Sequence, residues 1–227
     1  MIKALRRIGL FVIHKKLKRR MQVEIIPNEK EKYLQINELE FDNNLDYHNF
    51  WRDIQSQYAG YKIDFCYHNC NVPTEFMKEI GAILLDSCIE SRLQHDDFRP
   101  VYGKKEGMFV TDKTFNVFKS LHDKLSQGVY WTSERIGRDM SCWSIYVRDN
   151  SYVLMSLWGD TPDIYNLVAT NADDGAILLS AVTEYAFKMG KNSILFMIDD
   201  DSPEHLEAAR SIGFLTCGEY IAYRLSY

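Results

Sequence analysis

The feature that most constrains this chain lies in its last third, where strand and helix patterns alternate with no break between them. Residues 163–170 read as a strand and run into the polar turn Asn171-Ala172-Asp173-Asp174-Gly175. Ile177, Leu178, Ala181, Val182, Tyr185 and Ala186 then share one face of a helix over 175–190, which Gly190 is suited to end. Residues 193–198, Ser-Ile-Leu-Phe-Met-Ile, are apolar on both faces, as a strand inside a parallel sheet requires. A short helix over 203–211, an Ile212-Gly213-Phe214 turn and a closing strand ending at Leu225 complete the pattern. Alternation of this kind predicts an α/β fold with a mixed sheet. A strand that ends at a helix N-terminus also leaves backbone amides able to hold a phosphate.

Upstream, residues 21–98 read as a first α/β unit. Strands are expected at 22–26, 61–66 and 82–93, and helices at 31–40, 47–58 and 74–80. Residues 99–110 lack periodicity and read as a linker, which leaves 111–227 as the main domain. A helix over 111–127, begun by Thr111 or Asp112, puts Phe115, Phe118, Leu121 and Leu125 on one stripe. Arg148-Asp149-Asn150-Ser151, between apolar runs at 144–147 and 152–158, predicts a hairpin. An internal echo joins the two parts of the chain. Pro73 starts a helix that meets Ile80-Gly81 and a strand ending Arg92-Leu93, and Pro203 starts one that meets Ile212-Gly213 and a strand ending Arg224-Leu225.

The sequence has 227 residues, 46% of them hydrophobic and 13% aromatic, which is enough to bury a core. Residues 1–20 hold eight of the 27 Lys and Arg and no acid; the rest of the chain carries 19 basic and 32 acidic residues, a net charge of −13. So acidic a body argues against a nucleic-acid partner. The basic segment 1–20 reads either as a helix docked on that body or as one lying on an anionic membrane surface. Five cysteines without a disulfide spacing point to a reducing, cytoplasmic setting. Cys66, His68 and Cys70 lack a fourth ligand at zinc spacing, so no metal site is expected.

The order of elements over 141–227, the face of the 175–190 helix and the Ile212-Gly213-Phe214 turn resemble the acyl-CoA-binding half of the GCN5-related N-acetyltransferases (GNAT). The echo is similar to the incomplete first copy that some GNAT-like proteins carry. The resemblance implies a GNAT-like fold, acetyl-CoA or another acyl-CoA as cofactor, and an amine of a small molecule or peptide as partner. The family's strand before the long helix offers backbone to the pantetheine arm, which here implies Leu167, Val168 and Ala169. Its phosphate loop, Arg/Gln-x-x-Gly-x-Gly/Ala, falls on residues 170–175, where only Gly175 matches; Thr170 and Asp173 stand at the basic and first glycine positions. Asn171, Asp174, Gly175, Ala176 and Ser202 complete the implied cofactor contacts.

In that family an Asn, an Ala and a Tyr commonly follow the next strand, and the Tyr is the general acid. Those positions here are Ser202, His205 and Ala209, so the usual proton donor is missing. Acyl transfer to an amine needs a base for the ammonium proton and an acid for the leaving thiolate. An unperturbed imidazole titrates near pH 6.5, which makes His205 the candidate base, and Asp200 sits in an acidic triplet at a strand end where α/β sheets gather ligands. Tyr220 on the last strand is the alternative acid. Each also has a plain structural reading, as a solvated surface or packing residue. Asp173 and Asp174 suit a helix N-terminus, at about 0.3–1 kcal/mol each, but would repel a pyrophosphate. Two functions are therefore open: an acyl-CoA-dependent N-acetyltransferase, or a catalytically degenerate GNAT-like binding or scaffold protein.

Overall fold

The computed structural model describes residues 23–225 apart from Cys70, Lys105, Glu106, Gly128 and Tyr130. The basic segment 1–20, with both readings of it, lies outside the described residues. Among the described residues no helix is long and apolar enough to cross a membrane. The chain forms two compact units, one made of Ile89–Cys217 and the other of residues 23–88 and 218–225.

In the second of these units, strands β1 (Glu24–Asn28) and β2 (Tyr33–Asn37) form a hairpin, α1 (Asn44–Gln57) leads to β3 (Lys62–His68), and α2 (Thr74–Glu79) leads into β4 (Ile83–Gln94). The chain's last strand, β10 (Leu215–Leu225), returns to run antiparallel to β3, and β2 runs parallel to β3. Residues 33–37 are thus a strand, where the sequence pattern suggested a helix over 31–40. The hairpin decides this: Tyr33 pairs with Asn28, and positive φ at Lys32 and Glu38 brackets the segment. Leu34 and Ile36 enter a core with Trp51, Ile54, Ile63, Phe65 and Met77. Tyr33 and Gln35, alternate residues that point to the opposite face, are buried too, and that double burial erased the polar alternation of a half-exposed strand.

The polar face of this unit centres on Asp64, which is 0% exposed. Arg224, its register partner on β10, donates from Nε at 2.6 Å and from Nη2 at 2.6 Å, and the Tyr33 hydroxyl donates at 2.8 Å. Burial first, then the Asp64 charge, pushes the Tyr33 phenol far above its ordinary range. Removing one partner of a buried pair leaves an uncompensated charge.

In the other unit the strand order is β4, β9, β8, β7, β6, β5. These are β5 (Met108–Phe109), β6 (Trp143–Arg148), β7 (Ser151–Ser156), β8 (Asp163–Val168) and β9 (Ser193–Asp199). The helices are α3 (Phe115–Leu125), α4 (Ser133–Gly137), α5 (Ala172–Lys188) and α6 (Pro203–Ser211). β7 shows how one sheet serves two layers. Val153 and Met155 pack with α5 and α6, while Tyr152 and Leu154 pack with Phe118 of α3 and Ile136 of α4.

Helix α3 starts later than its apolar stripe suggested, because Thr111 and Thr114 close a turn of their own: Thr114 N–H donates to the Thr111 carbonyl at 2.9 Å. Arg99 N–H donates to the Ile212 carbonyl at 3.0 Å and Val101 N–H to Ser180 Oγ at 3.0 Å. The sequence echo has a conformational basis, since Gly81 after α2 and Gly213 after α6 both have positive φ.

Arg224→Leu should destabilise the protein by about 3–5 kcal/mol, the cost of stranding the Asp64 carboxylate in the interior. Urea unfolding at pH 7 measures it. A loss below about 1 kcal/mol would mean that solvent reaches Asp64.

Candidate functional site

β8 pairs with β7 antiparallel and with β9 parallel, but unequally. Against β7 the register runs Tyr152–Val168, Val153–Leu167 and Leu154–Asn166, then jumps to Met155–Ile164, so Tyr165 faces no residue of its own. This is a β-bulge, which bends and over-twists the strand that carries it. Against β9 only Asp163–Leu195 and Ile164–Phe196 pair. From the bulge onward β8 leaves β9, and residues 165–168 turn a backbone edge toward the gap. Leu167 is buried beneath α5, while Val168 and Ala169 are half-buried.

α5 begins where β8 stops. Asn171 caps it with Oδ1, accepting from Asp174 N–H at 2.9 Å. The two adjacent acids have different surroundings. Asp173 is exposed. Asp174 is buried and accepts from Thr170 N–H at 3.2 Å, from Thr170 Oγ1 at 3.3 Å, and from Arg148 at the end of β6. Burial by itself raises its pKa, but bonds from Ser151, Thr170 and Arg148 outweigh burial and hold the carboxyl below the usual range. Only Asp173 therefore presents an unbalanced charge at this helix end. The amides of Ala172 and Asp173 have no acceptor within the helix by geometry, whereas those of Thr170 and Asp174 are bonded inside the loop. The loop keeps part of an anion cradle and uses part of it on itself.

Gly175 is a packing residue. A Cβ there would lie 3.0 Å from Ala208 Cβ, so the glycine lets α5 and α6 approach closely. Ala176 is buried in the same core. Because β8 and β9 are parallel, the start of α6 after β9 opens on the same edge as the start of α5 after β8. Asp200 is exposed in the β9–α6 turn. Ser202 occupies the α6 N-cap position without a capping bond from its side chain, and His205 is half-buried on the first turn. Ala209, where the resemblance has a tyrosine, is 0% exposed in the core. Tyr220 belongs to the other unit. Its buried hydroxyl donates to Cys66 Sγ at 3.3 Å, its ring meets His68 at 4.7 Å, and burial pushes its pKa far above the ordinary range.

On the opposite face of the sheet lies a group that sequence reading did not isolate. His122 of α3 bonds the Trp131 carbonyl through Nε2 at 2.8 Å and the Tyr152 hydroxyl through Nδ1 at 2.8 Å. A carbonyl only accepts, so Nε2 carries the hydrogen and Tyr152 donates to Nδ1 of the neutral ring. Burial, partly offset by the Trp131 bond and Asp123, lowers the His122 pKa and favours that neutral form. Burial likewise pushes the Tyr152 phenol up to about 12, against the Ser126 bond. Having used its hydrogen, the Tyr152 oxygen accepts from Ser126 Oγ at 2.5 Å and from Asn166 Nδ2 at 3.0 Å, and Asn166 Nδ2 also reaches Ser126 Oγ at 2.8 Å. Asn166 is the residue immediately after the bulge. These residues lie far apart in sequence, so no local motif marks them.

No family model matches this sequence, and no curated protein matches it. Solved structures do match. A GCN5-related N-acetyltransferase from Sphaerobacter thermophilus superposes with a TM-score of 0.63 at 10% identity, covering 90% of this chain and 76% of that one. One from Kribbella flavida gives 0.60 at 7% identity, covering 89% and 86%. A tandem GNAT protein from the clavulanic acid biosynthesis pathway gives 0.57 at 11% identity, covering 90% and 78%. The chain has the GNAT fold.

The Asp174 carboxylate has a folded pKa below its unfolded value of about 3.9, so its contribution to stability is complete above about pH 4 and is lost as pH falls through the folded value. Asp174→Asn should therefore be less stable than the parent at pH 6, with the gap closing under acid. Thermal unfolding by circular dichroism across pH 2.5–6 reads this directly; a gap constant with pH would remove the Arg148–Asp174 pair as its source.

Proposed function

We propose that this protein transfers an acyl group from an acyl-CoA, acetyl-CoA in the first instance, to an amine of a small molecule or peptide. The observation that carries the reading is the parting of β8 from β9 after two registers, directly before the capped start of α5. That gap offers an extended chain the unpaired backbone edge of Leu167, Val168 and Ala169, as an added strand would use it. The amides of Ala172 and Asp173 suit a phosphate next to it. Acyl-CoA, when bound, supplies an acyl group activated as a thioester.

His205 and Asp200 share the adjoining edge. An imidazole can take up or give a proton, and exposed carboxylates attract an ammonium group. Tyr220, with its hydroxyl bonded to Cys66, is not assigned a part. A cytoplasmic setting fits the four described cysteines, all free thiols. The α/β segment over residues 21–98 is read as an incomplete first copy, in keeping with the Ile-Gly echo.

A second reading, a GNAT-fold binding module without catalysis, is favoured by one observation: Asp174 takes up the Thr170 amide inside the phosphate loop. Calorimetric titration with acetyl-CoA and with S-acetylpantetheine separates the two. Acyl transfer predicts micromolar binding of acetyl-CoA and competition by the shorter thioester, since the gap holds the arm they share. Absence of acetyl-CoA binding at millimolar concentration would leave the binding module.

A further inference from the structure

The imidazole of His122, in a residue 1% exposed, takes no part in holding a thioester, yet it ends a hydrogen-bond chain that starts beside the β8 edge. Ser126 follows His122 by four residues and caps α3, its N–H donating to the His122 carbonyl at 2.9 Å, so the two side chains lie on one face. Ser126 is half-buried, whereas Tyr152 is 0% exposed, and the chain therefore runs from a partly open hydroxyl into the interior. Its outer end is level with the gap. In the β7–β8 register Tyr152 pairs with Val168 and Leu154 with Asn166, and Asn166 Nδ2 lies 2.8 Å from Ser126 Oγ.

The chain has a direction. Nε2 of His122 turns its hydrogen to the Trp131 carbonyl, which leaves Nδ1 to accept the Tyr152 hydrogen. The Tyr152 oxygen then accepts the Ser126 hydrogen over 2.5 Å, and Asn166 Nδ2, a donor, meets both oxygens on their lone-pair side. Each hydroxyl hydrogen between Ser126 and the ring thus points toward Nδ1. A hydroxyl oxygen has two lone pairs, and Asn166 is the one donor to that of Ser126 among the described residues. The second lone pair can accept from a ligand. An apolar contact would pack these elements without the desolvation that a buried imidazole and phenol incur.

We propose that Ser126, Tyr152 and His122 form a relay for the proton that an amine loses when it attacks the thioester, an inference that rests on the proposed acyl transfer. The neutral amine forms a C–N bond to the acyl carbon, the C–S bond breaks and the sulfur departs as thiolate. The nitrogen then has one proton to lose. Ser126 Oγ accepts it and passes its own hydrogen to Tyr152, and Tyr152 passes its hydrogen to Nδ1 of His122. Both N–H groups of the resulting imidazolium have acceptors, the Trp131 carbonyl and the Tyr152 oxygen. Return of the proton along the same path to the thiolate leaves a thiol and a neutral ring. Ser126 touches the amine; Tyr152 and His122 act through it. Burial lowers the His122 pKa and keeps the ring neutral, able to accept, at pH 7. Tyr152 is its titratable neighbour from β7. Asp123 is its charged neighbour on α3, paired in turn with Lys119 and bonded by Ser133 of α4.

Nitrogen NMR of the histidine-labelled full chain tests the end of the relay without acyl-CoA. His122→Gln identifies the signal by difference, or His122→Phe if that variant unfolds. The expected ring carries its hydrogen on Nε2 at pH 7 and gains a second on Nδ1, reversibly and with the fold intact, below about pH 6.5. Thiol release from acetyl-CoA, with butylamine as the probe amine, tests the use of the relay. Tyr152→Phe and Ser126→Ala should each lower kcat about 100-fold, the low end for proton transfer by a positioned side chain, with acetyl-CoA affinity by calorimetry unchanged. Ser126→Thr, which keeps the hydroxyl, should retain most of the rate. The parent kcat should fall as pH drops through the His122 value, since only the neutral ring accepts, and Tyr152→Phe should lose that acid limb. Circular dichroism checks each fold, and either of the two variants suffices if the other unfolds. A parental rate in the folded variants, acetyl-CoA binding without butylamine-dependent release, or a ring that stays neutral until the fold is lost would each overturn the inference. The first of these would leave acyl transfer standing; absence of acetyl-CoA binding would discard acyl transfer and the relay with it.

Discussion

One unpaired residue in β8 organises the functional edge of this protein. Below Tyr165 the strand is shared by two neighbours; above it the strand stays with β7 and abandons β9. A bulge bends its strand, and a bent strand cannot keep an evenly spaced parallel ladder on its other side. The exposed backbone that results would be a liability at an ordinary sheet edge. Here it is followed at once by a helix whose first turn has amides to offer, and both features face the same gap.

The same extra residue has an effect at right angles to the sheet. In a regular strand consecutive side chains point to opposite faces, but a bulge relaxes that rule locally. Tyr165 joins the tryptophans, and Asn166, the next residue, joins the Tyr152 and His122 network on the same side. The bulge thus separates the two strands and also gathers an aromatic and an amide on one face. Buried polar networks are exacting because each member needs its partners, and in this one the hydrogens of His122, Tyr152 and Ser126 can each be assigned.

Electrostatics at the helix start also depend on contacts made at a distance. Two adjacent aspartates suggest a doubly negative loop, hostile to phosphate. In the fold Arg148 arrives from the β6–β7 hairpin and neutralises one of them. Asp173 and Asp174 are alike as a dipeptide and unlike in place: one lies in solvent, the other is buried under four bonds. Close packing of α5 on α6 gives Gly175 a reason that holds whether or not a phosphate is present.

What the sequence alone determined is everything governed by local period and local caps. Helix α5, strand β9, the Pro-started α6, the Ile212-Gly213-Phe214 turn and the β6–β7 hairpin follow from spacings within a few residues. β2 misled because burial on both faces removes the alternation that marks a strand, and α3 because a threonine turn precedes its first helical residue. The cluster of Trp131, Trp143, Trp158 and Tyr165, the tautomer of His122 and the neutralised Asp174 were decided only by the tertiary structure. Each joins side chains from different elements, and sheet register, which no local pattern encodes, determines which of them meet.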